Sequence, residues 1–280
     1  MRFGSSLAAR LSAAARLIHL APSVAVTALS GALGGVLLSQ AGEGIGERWW
    51  LTVAAVAGSQ VFVGSTNDIV DRGRDIDAGR PDKPLAAGEL SLNGALWVAS
   101  IGLAVQLAAS LRLGQVPLLL GLAAVASALA YNLWLSRTPF SVLPYLISFG
   151  LLPLWVASGV GIPLERVALT PLLVAPFAAA GHLANAVRDF EADAVSGSRN
   201  LAQVLGRQVA FFLAWGLAMA VGGGVGVAFA IGGRLDPLGA ALGLAGMVAV
   251  AQGIGGPVRL WGGLLVAAVL WTAAWAIGSG

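Results

Sequence analysis

No cysteine occurs among the 280 residues, which removes disulfides, thiolate nucleophiles, cysteine zinc sites and iron–sulfur clusters from the possible chemistries. Histidine is nearly absent too, at two residues, so any metal must be held by oxygen atoms or by that single pair of imidazoles. Charge is equally scarce: 10% of the residues are charged, against about 25% in an average soluble domain. Such a deficit excludes an ordinary soluble fold. No basic stripe with interleaved aromatics is present, so no nucleic-acid partner is expected. Nothing implies a protein partner, and no shift in composition marks a second domain.

What the chain has in abundance is apolar sequence, 58% of all residues. A transmembrane helix needs about 20 such residues in a row, and runs of this kind recur along the whole length. Reading them against the polar breaks places nine spans near 17 to 39, 49 to 70, 92 to 111, 115 to 135, 140 to 160, 167 to 187, 209 to 232, 237 to 254 and 258 to 278. The expected architecture is all-α, a polytopic bundle of about nine transmembrane helices forming one domain over residues 1–280. The first apolar run is longer than the 7 to 15 residues of a signal-peptide core and reads as a retained helix. With the N-terminus inside, Arg2, Arg10, Arg16, Arg72, Arg74, Arg80, Lys83, Arg137, Arg188, Arg199, Arg207 and Arg259 lie on the cytoplasmic side. Arg48, Arg112, Arg166 and Arg234 lie outside, a bias of 12 against 4 in the direction of the positive-inside rule. The C-terminus then falls outside. The expected location is an integral one, in the cell membrane if the source is bacterial or archaeal. Gly31, Gly35, Gly222 and Gly246 read as helix-packing residues, and Trp49, Trp50, Trp97, Trp134, Trp155, Trp261 and Trp275 as interfacial indoles.

Charge is concentrated rather than spread. Ten charged residues lie between Asp68 and Glu89 and six between Arg188 and Arg207, so 16 of 29 occupy two short segments, near 67–91 and 185–208. In the first, Asn67, Asp71 and Asp75 recur at i, i+4 and i+8, and Asp68 joins them at i+3 and i+7, giving one helix face three carboxylates and an amide. In the second, Asn185, Asp189 and Asp193 repeat the N-x-x-x-D-x-x-x-D spacing 118 residues later. Both segments end even-numbered spans, which puts them on the same, cytoplasmic face, where they can converge.

Energy decides what such a convergence requires. Two carboxylates about 4 Å apart repel by ~1 kcal/mol in water and ~4 kcal/mol at an effective dielectric near 20, and a carboxylate deep in a lipid-embedded helix costs ~2.5 to 3.5 kcal/mol more. Several together call for a cation. With no sulfur and few imidazoles the ligands are carboxylate and amide oxygens, the set that suits Mg²⁺, which is bound through one or two carboxylates, waters and substrate phosphate. The candidate metal set is Asn67, Asp68, Asp71, Asp75, Asn185, Asp189 and Asp193, and the five aspartates are the candidate catalytic residues. Arg72, Arg80, Lys83 and Arg188 stand beside them as candidate diphosphate donors. The apolar bundle would sheath a long tail attached to that diphosphate.

At these residues the chain resembles the UbiA superfamily of intramembrane prenyltransferases. Asn67, Asp68, Asp71 and Asp75 match its N-D-x-x-D-x-x-x-D motif. Arg80, Pro81, Lys83, Pro84, Leu85 and Gly88 match the R-P-x-[KR]-P-L-x-x-G that follows, and Asp189, Asp193 and Gly197 match D-x-x-x-D-x-x-x-G. The resemblance implies two Mg²⁺ ions between the carboxylates and the diphosphate of an isoprenyl donor, ionisation to an allylic cation, and attack by a lipophilic acceptor. It also adds Arg137, which with Tyr131 matches a Y-x-x-x-[LW]-K-R segment in which Ser136 takes the usual lysine position. That replacement, and a second motif unlike the D-x-x-x-x-D-x-x-D of many 4-hydroxybenzoate prenyltransferases, speak against ubiquinone synthesis, while the first motif with its R-P-D-K-P-L resembles more closely the branch of archaeal digeranylgeranylglyceryl phosphate synthase and chlorophyll synthase.

Outside the motifs, His182 lies on the Asn185 and Asp189 face, His19 reads as interfacial, and Asn132 beside Tyr131 as a residue lining the cavity. Asp77 and Glu191 sit off their stripes. A cation or solute transporter with duplicated acidic helix ends is the competing class; it would place acids near the bilayer midplane. A CDP-alcohol phosphotransferase would need a D-G-x-x-A-R core, which is missing.

Overall fold

The computed structural model describes residues 7–231 and 236–277; Arg2, Arg234 and the extreme ends of two expected spans, 232 and 278, lie outside the described residues. Twelve α-helices follow in order: α1 (Leu7–Leu17), α2 (Leu20–Gln40), α3 (Glu47–Asp77), α4 (Leu92–Leu113), α5 (Gln115–Leu133), α6 (Leu143–Val160), α7 (Pro171–Arg188), α8 (Phe190–Val195), α9 (Leu201–Leu205), α10 (Arg207–Ile231), α11 (Pro237–Gln252) and α12 (Pro257–Ile277). The nine long ones, α2 to α7 and α10 to α12, occupy the nine expected segments. Seven of these are long and apolar enough to cross a membrane. The other two, α3 and α7, carry the acidic motifs. Their polar residues, including Gln60, Thr66 and Asn67 on one and His182, Asn185 and Arg188 on the other, dilute their apolar character.

Contacts at the two ends of the bundle fix the direction of five helices. At one end Arg48, in the first turn of α3, donates to the carbonyls of Leu113 at 3.2 Å and Ser158 at 3.0 Å, where α4 and α6 finish. At the other, Asn67 near the end of α3 bonds to Asn132 at the end of α5, and Arg137, just beyond α5, bonds to the Ser196 carbonyl that follows α7 and α8. Helices α3, α5 and α7 thus run toward one end while α4 and α6 return. Both acidic motifs lie at that one end.

Helix packing relies on the absence of side chains. A Cβ on Gly58 would stand 2.6 Å from the Gly102 carbonyl oxygen, and one on Gly102 would stand 2.8 Å from that of Gly58, so α3 and α4 touch backbone to backbone. Trp155, expected at an interface, is instead 2% exposed and packs with Ala55, Val56, Ala109 and Ala124. Its ring fits because Gly121 leaves room, a Cβ there falling 2.8 Å from the indole. Trp50, Trp97 and Trp134 are exposed as expected. A second core joins α7, α10, α11 and α12 through Leu183, Ala214, Ala218, Val250, Leu264 and Trp271.

Widening the α3–α4 contact should loosen the helix that carries the first motif. Gly58→Val is expected to lower stability by about 1 to 3 kcal/mol, the usual cost of overpacking, read as a drop in thermal unfolding midpoint in detergent. Gly73→Ala, at a helical position with nothing within 4 Å of the new Cβ, should raise the midpoint slightly, by the ~0.5 to 1 kcal/mol that alanine gains over glycine inside a helix.

Candidate active site

The first motif is built on the last three turns of α3. That helix ends where Gly79 adopts φ +64°, which lets the Arg80 amide reach back to the Asp75 carbonyl at 3.0 Å. Pro81 and Pro84 then prevent renewed helix. Leu85 is buried against Leu17, Ala95 and Ile69, and this anchor returns the loop along α3. Lys83 is thereby set on Asp68, Nζ to Oδ1, at 2.6 Å.

Asp68 is the most enclosed acid of the site, 1% exposed. A second partner comes from an unexpected place. His19 sits between α1 and α2 in the left-handed region, φ 50° and ψ 58°, a conformation that costs a non-glycine residue about 1 to 3 kcal/mol. Its Nε2 stands 2.9 Å from Asp68 Oδ1; a carboxylate can only accept, so Nε2–H donates. The interfacial reading of His19 is therefore corrected: the residue is the hinge by which the N-terminal helix reaches the motif. Gly64 makes the approach possible, since a Cβ there would lie 2.7 Å from the Ile18 carbonyl oxygen. Asp68 Oδ2 remains buried without a hydrogen-bond partner.

The remaining first-motif acids are looser. Asp71 pairs with Arg74 one turn on, and Arg72 is exposed. Asp75 borders a cleft of about 250 Å³ lined also by Ile76, Gly79, Arg80 and Ala87. Burial holds the Asp75 carboxyl above its ordinary pKa, with Asp68 adding to the rise and Lys83 and Arg80 opposing it. Asp82 binds Arg80 through two bonds, at 2.9 and 2.7 Å, which lowers the Asp82 carboxyl to about 2.

The second motif departs from one continuous helix. α7 stops at Arg188 and α8 starts at Phe190, with Asp189 between them at φ −94° and ψ 12°. Backbone bonds from Asp189 to Asn185 (3.0 Å) and from Asp193 to Asp189 (2.9 Å) nonetheless keep the four-residue spacing. Asn185 Nδ2 reaches Asp189 Oδ2 at 3.5 Å. Arg188 grips both Asp189 oxygens at 3.1 Å and lies 5.9 Å from the Trp261 ring centre. Asp193 Oδ2 accepts from Asn200 Nδ2 at 2.7 Å. Burial raises the Asp193 carboxyl as it does Asp75, with the Asp189 charge adding and Asn200 and Arg137 opposing.

Side chains of both motifs act on common partners. Arg80 is held protonated first by Asp82 and further by Asp75 and Asp189, one acid from each motif. The segment after α5 ties the halves together, with Arg137 on the Ser196 carbonyl and the Arg199 amide donating to the Arg137 carbonyl at 3.1 Å. Beneath it lies an aromatic cluster. His182 stacks on Tyr145 (centroids 4.4 Å apart), Tyr131 meets both edge-on, and Phe149 continues the stack. His182 is thus buried and bonded to Ser141 at 3.0 Å, with no bond to Asn185 or Asp189 among those described.

Sequence reasoning missed His19, Ser141 and Asn200. For Asn200 a signal existed: N-x-x-Q before an apolar run is a helix-start pattern, and Asn200 does cap α9, accepting from the Gln203 amide at 3.0 Å. For His19 none existed, because only tertiary contact pairs residues 49 positions apart.

A family model for the UbiA prenyltransferase family matches residues 28–279. The chain belongs to the UbiA prenyltransferase family. Solved structures of similar fold include a digeranylgeranylglyceryl phosphate synthase, with 17% identity, TM-score 0.73 and coverage of 96% of this chain and 98% of that one. Another is the apo UbiA homolog from Aeropyrum pernix K1, with 22% identity, TM-score 0.69 and coverage of 89% and 96%. A UbiA homolog from Archaeoglobus fulgidus bound to GPP and Mg²⁺ has 18% identity, TM-score 0.69 and coverage of 96% and 100%. No curated protein matches by sequence.

As a UbiA family member the chain is an integral-membrane prenyltransferase, and the donor set bears on its metal. Among the described residues no three histidine, aspartate or glutamate side chains stand close enough to hold an ion as they are. The chemistry of the set nevertheless fits a hard cation: every candidate donor is a carboxylate or amide oxygen. One buried carboxylate oxygen, Asp68 Oδ2, has no hydrogen-bond partner, and two carboxyls have proton affinities raised by burial.

The Asp68 pair is the structural keystone of the first motif. Lys83→Met should destabilise the protein by about 3 to 5 kcal/mol, the cost of stranding one partner of a buried pair, measured by thermal unfolding in detergent. Adding Asp68→Asn should recover a substantial part of that loss, as neutralising both partners does in a double-mutant cycle.

Proposed function

We propose that this UbiA family member transfers a prenyl group from an isoprenyl diphosphate to a lipophilic or aromatic acceptor with release of diphosphate, in a Mg²⁺-dependent reaction at the cytoplasmic end of a single membrane domain. One observation carries the reading: two N-x-x-x-D-x-x-x-D segments far apart in sequence stand at one end of the bundle, tied together by the stretch at and after the end of α5. The Mg²⁺ and GPP of the Archaeoglobus fulgidus homolog agree with it, as does the family.

In this reading Asp71, Asp75, Asp189 and Asp193 hold the cation, with Asn67 and Asn185 adding amide oxygens and Asp68 completing the first set. Bound Mg²⁺ supplies positive charge against the departing diphosphate. The existing partners leave room for it. Asp71 and Asp189 form ion pairs with neighbouring surface arginines, Arg74 and Arg188, and exposed pairs of this kind are worth ~0 to 1 kcal/mol. Exchanging such an arginine for a divalent cation is inexpensive, and it frees Arg188 to join Arg72, Arg80, Lys83 and Arg137 as donors to phosphate oxygens.

The aromatic cluster of Tyr131, Tyr145, Phe149 and His182 supports the other half of the step. Tyr131 packs edge-on against His182 with ring centroids 5.7 Å apart, so its ring lies beside the helix that carries the second motif. Aromatic faces attract a cation, and an apolar wall keeps water from capturing an allylic one. The bond from C1 to the diphosphate oxygen breaks with its electron pair leaving on oxygen; the acceptor supplies the pair for the new bond and loses a proton. A transport reading would place acids along the middle of the bundle, whereas both motifs sit at its end.

Purified protein with Mg²⁺ and geranylgeranyl diphosphate should release diphosphate when the right acceptor is found among phenolic acids, naphthoates, chlorophyllides and geranylgeranylglyceryl phosphate. Asp71→Asn or Asp189→Asn should each lower that release by at least ~100-fold, the scale of losing one electrostatic contact to the transition state. Turnover that survives both substitutions, or that persists in chelator, would exclude the metal role.

A further inference from the structure

Asn132 sits at the end of α5, 4% exposed, in neither motif, and the reaction described above assigns it nothing. Its side-chain amide makes three hydrogen bonds, all to the helix that carries the first motif. Nδ2 donates to the Val63 carbonyl at 3.0 Å and to Thr66 Oγ1 at 3.1 Å, while Oδ1 accepts from Asn67 Nδ2 at 3.3 Å.

The direction of this chain of bonds is dictated by its first member. A backbone carbonyl can only accept, so the end of Asn132 that faces Val63 must be the NH₂ group. Thr66 demands the same. Its single proton is directed to the carbonyls of Phe62 and Val63, at 2.9 and 3.0 Å, which leaves its oxygen as an acceptor for Asn132. Asn132 therefore offers its oxygen to Asn67, and Asn67 must answer with its own NH₂. The consequence falls on the far end of Asn67, where Oδ1 is left for whatever occupies the site. A carboxamide not held in this way presents NH₂ or oxygen with similar ease. Only the oxygen ligates a cation.

We propose that Asn132 is a positioning residue that fixes the Asn67 amide with its oxygen toward the bound cation. This rests on the reading of Asn67 as an oxygen donor to Mg²⁺. It explains why a polar residue is buried where α5 meets α3: a purely apolar contact there would pack the helices and leave the amide free to turn.

The test uses Mn²⁺ as a paramagnetic probe of the cation site, titrated into the full-length protein in detergent and followed by the EPR signal of free Mn²⁺. Asn132→Leu should weaken Mn²⁺ binding by ~10- to 100-fold, the usual effect of removing a group that orients a metal ligand. Asn132→Asp should keep affinity near that of the unmodified protein, because its protonated carboxyl can donate to the Val63 carbonyl and still turn an oxygen toward Asn67. Asn67→Asp placed in the Asn132→Leu background should restore binding, since a carboxylate has no wrong end; a merely structural role for Asn132 would not be repaired that way. Thermal midpoints are recorded alongside. Unaltered affinity in Asn132→Leu, or a loss that Asn67→Asp does not repair, overturns the proposal and leaves the metal reading standing. Unmodified protein that binds no Mn²⁺ overturns both.

Discussion

Negative charge crowded at one end of an apolar bundle is the condition around which this molecule is arranged. Nine of the thirteen acids fall in two segments, and a carboxylate withdrawn from water must be matched by a cation or hydrogen-bond donors. The most buried one, Asp68, is matched by Lys83 and His19. Much of the local fold exists to deliver those two partners. The double-proline loop pinned by Leu85 brings Lys83 back by fifteen residues. A left-handed residue and the bare backbone of Gly64 bring His19 across from the first helices. The strain at His19 is then offset by a bond whose removal would leave a buried charge underpaired.

The acids divide by how firmly they are held. Asp68 is locked into the framework. Asp71 and Asp189 are paired with exposed arginines on the same stretch of chain, and Asp75 and Asp193 stand half-buried with proton affinities raised by their surroundings. A fixed inner acid surrounded by exchangeable outer ones is an arrangement that can take up a divalent cation without unfolding its support. That gradient links the energetics of the site to the activity of the UbiA prenyltransferase family.

Neither motif reaches the other directly through the hydrogen bonds described. The stretch at and after the end of α5 connects them, through Asn132 on the first motif's helix and Arg137 on the loop behind the second. Both contacts depend on close helix approach elsewhere, where Gly58 and Gly102 let α3 and α4 touch and Gly121 admits Trp155. In lipid, where apolar surface alone gives helices little reason to associate, such backbone proximity holds them together. The geometry of the polar end is set by contacts in the apolar middle.

Much was legible before any coordinates. The nine long helices lie where apolar runs and polar breaks place them, because a transmembrane helix is a local object whose length follows from the thickness it spans. The acidic spacing was equally plain, since four-residue periodicity is a property of a single helix. Tertiary structure decided what periodicity cannot carry. It split the second motif at Asp189, moved Trp155 from the interface into the core, and turned His19 from an interfacial residue into a partner of Asp68. It also brought Asn132 to Asn67, which lies 65 positions away in the chain. Sequence reports what each residue can do along its own helix; which donor meets which acceptor across helices depends on crossing points that glycines scattered along the chain create together.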